Sequence, residues 1–262
     1  SAFVAEDWII YSDTEGLRII TPDNERDMAI PETEMAKSSI VWGGNLVAYV
    51  AEGPFTYSYL KLADLGGARG FIFSDTLEPI HDLRPDGAGG YFLSRLYSNR
   101  IYRLPGATGL SASLDDYEYL HVEGAELKEF DYDATNDRFA VNTISGGPKL
   151  VIMNSSGEFV DTLQNTTVKC PRFSPDGDRV AYGSYGNLWV SDLVSGVSSA
   201  VLGEGESVEG VGWSPDGSRA AICVVATGGR YELWLADMTS GETEKLTEAE
   251  YSEEPFFPQW VD

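Results

Sequence analysis

The chain has 262 residues, with 42 acidic side chains against 18 basic ones and a formal net charge of −24. That balance excludes nucleic acid as a partner, because nothing supplies the basic stripe that neutralises phosphates. No run of about 18 apolar residues exists, so no helical membrane span is expected. A solvated surface in a high-salt setting, a basic partner and simple solubility each account for the acidity.

Twenty-eight glycines, 12 prolines and 12% aromatic residues leave no long uninterrupted periodic run. Many short strands, rather than helices, are therefore predicted. Cys170 and Cys223 are too few for a disulfide framework. They read as small strand residues of neighbouring repeats, with a single bridge as the other reading. The start at Ser1, without Met or an apolar leader, reads as a processed or truncated chain. Two sequons, at Asn154 and Asn165, matter only if the source glycosylates.

In chain order, the first strands are predicted at 8–11 and 17–20, followed by a polar run over 21–34. Next come 39–42, 46–50 and 57–62, with an aromatic loop at Phe55, Tyr57 and Tyr59. A third unit runs from Glu78 through RPDG to Tyr91, Phe92 and a strand over 100–104. A fourth starts at Leu127, replaces the turn by DATND and continues over 149–153. The fifth, over 168–193, returns forty residues later in near copy, each time with an SPDG turn. Pro175 and Pro215 set φ at the first corner of that turn, Asp176 and Asp216 bond back to the backbone, and Gly177 and Gly217 take the positive-φ corner. The SxxSG segments led by Asp192 and Asp237 read as the next hairpin turns.

The residue ending each second strand is Tyr11, Tyr49, Phe92, Val141, Tyr182 and Ile222, at spacings of 38, 43, 49, 41 and 40. Units of about 40 residues are the mark of radial repetition. The expected fold is all-β, a single six-bladed β-propeller of four-stranded blades over 1–262. Its units are 1–34 with 253–262, 35–76, 77–124, 125–165, 166–206 and 207–252. A C-terminal strand over 256–261 is expected to pair with the N-terminal strands, closing the ring and hiding edges. The six tryptophans, at 8, 42, 189, 213, 234 and 260, fall at repeat-related places and are assigned to packing between blades.

The runs PRFSPDGDRVAY…LWVSDLVSG and GWSPDGSRAAI…ELWLADMTSGETEKLT resemble the TolB-like repeat, also called the WD40-like or PD40 repeat. The match is specific over 169–247 and weaker over the first 120 residues. The resemblance implies a propeller of the kind found in the TolB translocation protein and in relatives of prolyl oligopeptidase and dipeptidyl peptidase. TolB resembles a periplasmic hub that binds a lipoprotein and a translocated protein, whereas the peptidase propellers filter substrate. No smaller preceding domain and no hydrolase domain is legible in these 262 residues, so no family catalytic residue is carried over.

Chemistry is sparse. No GxSxG string occurs, and Ser184 in YGSYG is off by one position. His81 and His121 lack a second histidine or cysteine at ligand spacing, so no zinc site is expected. Asp131, Asp133 and Asp137 in DYDATNDR offer clustered oxygens of the kind calcium takes, and they also read as a degenerate SPDG turn. No catalytic residue and no cofactor other than that calcium candidate is assigned. The expected function is a non-enzymatic protein- or peptide-binding module, periplasmic or extracellular, using one face or the channel mouth. Candidate contacts are Phe55, Tyr57, Tyr59, His81, Tyr117, Tyr119, Lys128, Lys169, Glu209 and Phe256. The alternatives are a carbohydrate-active or metal-dependent propeller enzyme with a channel site, and a spacer domain of a longer protein.

Overall fold

The structure, a computed structural model, describes residues 8–13, 16–23, 27–30, 36–43, 46–52, 58–64, 67–75, 80–95, 98–105, 114–123, 126–144, 149–164, 166–202, 207–226, 229–248 and 258–261. The first strands are β1 (Trp8–Asp13), β2 (Gly16–Ile20) and β3 (Asp27–Ala29), then β4 (Ala36–Gly43), β5 (Leu46–Glu52), β6 (Ser58–Asp64) and β7 (Gly67–Asp75). After them come β8 (Ile80–Pro85), β9 (Tyr91–Arg95), β10 (Arg100–Leu104) and β11 (Tyr119–His121), with a 3-10 turn at Leu114–Asp116. The fourth unit supplies β12 (Leu127–Asp133), β13 (Arg138–Thr143), β14 (Lys149–Asn154) and β15 (Phe159–Gln164). The two near-copies supply β16 (Lys169–Phe173), β17 (Arg179–Ser184), β18 (Asn187–Asp192), β19 (Ser198–Ala200), β20 (Ser207–Trp213), β21 (Arg219–Val225), β22 (Tyr231–Asp237) and β23 (Thr243–Glu248). The last strand is β24 (Gln259–Val261).

These strands form antiparallel four-stranded sheets. Five of them are each made from one unbroken run of chain: β4 to β7, β8 to β11, β12 to β15, β16 to β19 and β20 to β23. One more is composite, in the order β24-β1-β2-β3, with Trp8 opposite Val261, Ile9 opposite Trp260 and Ile10 opposite Gln259. The innermost strands touch in a cycle, β24 to β4, β8, β12, β16, β20 and back to β24.

Closure by strand pairing, as expected from the sequence, needs correction. Every sheet is open, and no hydrogen-bonded ladder joins one sheet to the next among the described residues. The physical reason is orientation: ladders run outward within a sheet, while neighbouring sheets meet face to face, so side chains make the joints. Among the described residues the outermost strands β3, β7, β11, β15, β19 and β23 keep one unpaired edge each, so the closing strand completes one sheet and hides no others. That strand is also shorter than expected, covering 259–261, and the polar run at 21–34 contains β3.

The joints follow from alternation along the strands. Val180 and Tyr182 enter one core with Ala140, Leu150, Ile152 and Phe173, while Ala181 between them enters the next with Leu188, Val211, Trp213 and Ile222. In β21, Ala220, Ile222 and Val224 face that same core, and Ala221 and Cys223 face Ile9, Tyr11, Ile20 and Trp260 of the composite sheet. A period of two thus buries both faces of the second strands. Each fully buried Val, Leu, Ile or Phe side chain contributes roughly 1.5–3 kcal/mol. Trp213 and Trp260 are buried, and Trp189 and Trp234 pack partly buried against the same cores. Cys170 and Cys223 are both buried and are not joined in a disulfide.

The SPDG turns form as their residue types dictate. Gly177 N–H donates to Ser174 O (2.8 Å) and Gly217 N–H to Ser214 O (2.9 Å), with φ of 78° and 69° at the two glycines. Asp176 accepts from Ser174 Oγ and Asp178 N–H, and Asp216 from Ser214 Oγ and Ser218 N–H. In the third and fourth units an aspartate likewise organises the turn. Asp86 accepts from Ala88 and Gly90 N–H, and Asp133 from Thr135 and Asn136 N–H. The outer turns are led by Asn154, Asp192 and Asp237, each accepting from two backbone N–H groups just downstream.

Candidate functional site

Because the sheets are antiparallel meanders, the two ends of the ring differ. One end carries the sheet-to-sheet connections and the starts of the innermost strands. The other, the turn face, carries the first hairpin turns and the turns leading to the outermost strands. His81, Lys128, Lys169 and Glu209 lie at the first end, and Tyr117, Tyr119 and Asp137 lie at the second. Phe55, Tyr57 and Phe256 fall outside the described residues, as does the side chain of Tyr59.

At the connection end, Lys169 and Glu209 do come together. The Lys169 ammonium pairs with Glu209 Oε1, which also accepts from Ser207 Oγ at 2.8 Å. A cavity of about 240 Å³ lies beside them, lined by Thr166, Thr167, Tyr185 and Val208 among others. Lys128 and His81 are half-buried on their own strands.

Deeper in, the innermost strands carry buried charge that the sequence did not reveal. Arg84 on β8 pairs with Asp82 at 2.8 Å and reaches Asp131 on β12 at 3.0 Å. Asp82 Oδ2 accepts from Phe130 N–H of the next sheet (3.0 Å), and Asp131 Oδ2 from Phe173 N–H of the sheet after that (2.7 Å). Glu129 accepts from Cys170 N–H at 2.9 Å in the same manner. Burial would raise the Asp82 carboxyl, yet Arg84, Arg172 and the Phe130 N–H hold it below its ordinary value. For Asp131 burial wins over Arg172 and Arg84, so its carboxyl is raised. Burial also pushes the Cys170 thiol far up, with Glu129 adding to it, which leaves it an inert neutral group.

The three calcium candidates do not converge. Asp131 is engaged by Arg84, Asp133 by its own turn and by Arg138 at 3.0 Å, and Asp137 by Tyr132 and Ser155 hydroxyls at 2.8 and 2.6 Å. Among the described residues no group of three or more His, Cys, Asp or Glu is arranged to hold a metal ion.

The turn face between the third and fourth sequence units carries two adjoining cavities. A cavity of about 320 Å³ is lined by Phe92, Tyr119, Tyr132 and Phe139, with Arg103, Glu118, Asp137 and Ser155 as its polar groups. Its rings pack edge to face, Phe92 against Tyr132 at 4.6 Å and against Phe139 at 5.0 Å. A second cavity of about 540 Å³ adjoins it, sharing Arg103 and Glu118 and adding Asp86, Asp116 and Tyr117. Tyr119 is 49% exposed and carries the Arg100 guanidinium 4.3 Å from its ring centre. Burial, then the hydrogen bond to Asp137, pushes the Tyr132 phenol up to about 12. The hydroxyls of Ser155 and Tyr132 hold the Asp137 carboxyl below its ordinary value. Tyr117 and Tyr119 were legible as aromatics near a connection, but Phe92, Tyr132 and Phe139 read only as strand residues. Nothing local in the sequence marks them as one wall.

Solved structures with this architecture include TolB from Acinetobacter baumannii, at 18% identity and a TM-score of 0.75, covering 98% of this chain and 67% of that one. A putative TolB from Agrobacterium tumefaciens matches at 14% identity and 0.70, covering 97% of this chain and 98% of that one. The fold is that of a TolB-like propeller. A chain from a nidogen/laminin complex is similar at 10% identity and 0.74, covering 97% of each. No protein-family model matches the chain, and no curated protein matches it. The resemblance of the SPDG repeats to the TolB-like repeat family is therefore corrected to a likeness of fold. Identities of 18% and below carry the architecture without membership.

Proposed function

We propose that the chain is a non-enzymatic binding module whose partner is a protein or peptide docked on the turn face of the ring. The observation that carries this reading is the pair of adjoining cavities, about 320 and 540 Å³, with the half-exposed Tyr119 at the rim of the first. Interfaces are anchored by aromatic side chains beside concave, partly apolar walls, and this is such a wall. The buried acids and base elsewhere support the same reading, because Asp82 and Asp131 each pair with Arg84 and accept from backbone N–H groups. The net charge of −24 disfavours nucleic acid as the partner. That one similar solved chain comes from a nidogen/laminin complex is in keeping with a protein-docking use of the fold.

The test is a selection of random displayed peptides on the whole immobilised chain, followed by titration against Tyr119→Ala and Tyr185→Ala. Tyr185 is 82% exposed and lines the cavity of the opposite end. The selected peptides should lose affinity at least about tenfold with Tyr119→Ala and keep it with Tyr185→Ala. No enrichment, or peptides indifferent to Tyr119, contradicts the proposal.

A further inference from the structure

We infer that the turn-face notch selects a segment in which an aromatic side chain stands beside a lysine or arginine. This rests on the reading above and adds the chemistry of the partner. The first cavity is lined by four aromatic residues, Phe92, Tyr119, Tyr132 and Phe139; Phe92 packs edge to face on Tyr132 and Phe139, the geometry in which aromatic walls favour a further ring. At about 320 Å³ it has room for one large side chain rather than a whole element.

Charge then decides which neighbour that ring brings. The two cavities are lined by Asp86, Asp116, Glu118 and Asp137 against the Arg103 guanidinium, with Arg100 on the Tyr119 ring beside them, so acids outnumber bases among the described residues there. Arg103 is already held by Asp86 Oδ2, through Nε at 3.2 Å and Nη2 at 3.1 Å. Asp137 stays ionised while accepting from Tyr132 and Ser155. Glu118 is exposed, lines both cavities and has no ion-pair partner among the described residues. A cation beside the bound ring would meet Glu118, whereas an acidic residue there would add like charge to like. The Arg100 guanidinium over Tyr119 shows that a ring of this site holds such a group at 4.3 Å.

The experiment titrates the whole chain with three labelled peptides and follows anisotropy: Gly-Ser-Tyr-Arg-Ser-Gly, the same peptide with Ala for Tyr, and the same with Glu for Arg. The Tyr-Arg peptide should bind best, and each substitution should weaken it at least about tenfold. Glu118→Lys in the chain should weaken the Tyr-Arg peptide about tenfold and strengthen the Tyr-Glu one, reversing the preference. Glu118 is exposed, so this variant should melt like the parent, which a thermal scan checks. Equal binding of the Tyr-Glu peptide, no binding of the Tyr-Arg peptide up to about 1 mM, or indifference to Glu118→Lys would overturn the inference. If displayed peptides bind the turn face through Tyr119 without an aromatic–basic pair, this inference falls while the broader proposal stands. If no displayed peptide binds at all, both fall together.

Discussion

Two stretches of the ring solve the same problem with different chemistry. From β16 to β24 the joint between neighbouring sheets is a tryptophan: Trp213 Nε1–H donates to Arg172 O at 3.1 Å, and Trp260 Nε1–H donates to Gly212 O at 2.9 Å. An arginine of the preceding sheet caps each ring, Arg179 over Trp213 at 4.9 Å and Arg219 over Trp260 at 5.0 Å. From β8 to β16 the following sheet still donates, but the donor is now a backbone N–H and the acceptor a side chain. Carboxylates of Asp82 and Asp131 accept from backbone N–H groups of the following sheet, with Arg84 between them. The lesson is that each of these four joints carries a polar cross-link, whose chemistry differs from one stretch to the other. A neutral indole tolerates burial, whereas a buried carboxylate must be kept paired.

The largest expected effect comes from removing the guanidinium of the ionic joint. Arg84→Met removes the guanidinium paired with Asp82 and Asp131, leaves only Arg172 to offset them, and should cost about 3–5 kcal/mol in denaturant unfolding. A loss near zero would mean that Arg172 and the backbone N–H groups hold the carboxylates without it. In the indole joint, Trp213→Phe keeps the ring over Arg179 and orphans one carbonyl, so about 1–3 kcal/mol is expected from the same measurement. If the two losses were equal, the contrast between the joints would dissolve.

A smaller effect separates turns that touch a neighbour from turns that do not. A methyl group at Gly177 (φ 78°) would press on the Asp133 carboxylate, while one at Gly196 (φ 73°) meets nothing within 4 Å. Both changes force a positive φ on alanine, at about 1 kcal/mol, and Gly177→Ala should lose more than Gly196→Ala in thermal melts.

The smallest effect is in pH. Asp216 is lowered to about 2 from an ordinary 3.8, chiefly by Ser218 N–H and then by the Ser214 and Ser218 hydroxyls. A depressed folded value means that its contribution is complete above the unfolded value and is lost as pH falls from 3.8 to about 2. Asp131, raised by burial, acts in the opposite sense: its ionisation opposes folding above its folded value, and acidification relieves it. Asp216→Asn should therefore flatten the acid limb of a stability-against-pH curve, and Asp131→Asn should steepen it.

These contrasts also mark what the sequence could carry. The SPDG turns, the outer turns led by Asp192 and Asp237 and the packing of Trp213 and Trp260 were legible, because local residue chemistry fixes each of them. Four things were not. The strand Asp27–Ala29 hides in a polar run because an outermost strand has little apolar demand. The Asp82–Arg84–Asp131 chain joins residues 47 to 49 positions apart, and only the ring brings them together. The aromatic wall of the notch draws on β9, β11, β12 and β13, so no spacing within one strand announces it. The separate engagements of Asp131, Asp133 and Asp137, neighbours in sequence that hold different partners, were not legible either.

The most direct measurement of the functional account is a chemical-shift map of the isotope-labelled chain titrated with a peptide obtained by selection. The account predicts perturbations gathered on the turn face, at Arg103, Glu118, Tyr119, Tyr132, Asp137 and Ser155, with Lys169, Tyr185 and Glu209 unmoved. Perturbations gathered instead around Lys169 and Glu209, or scattered over all sheets, would contradict it.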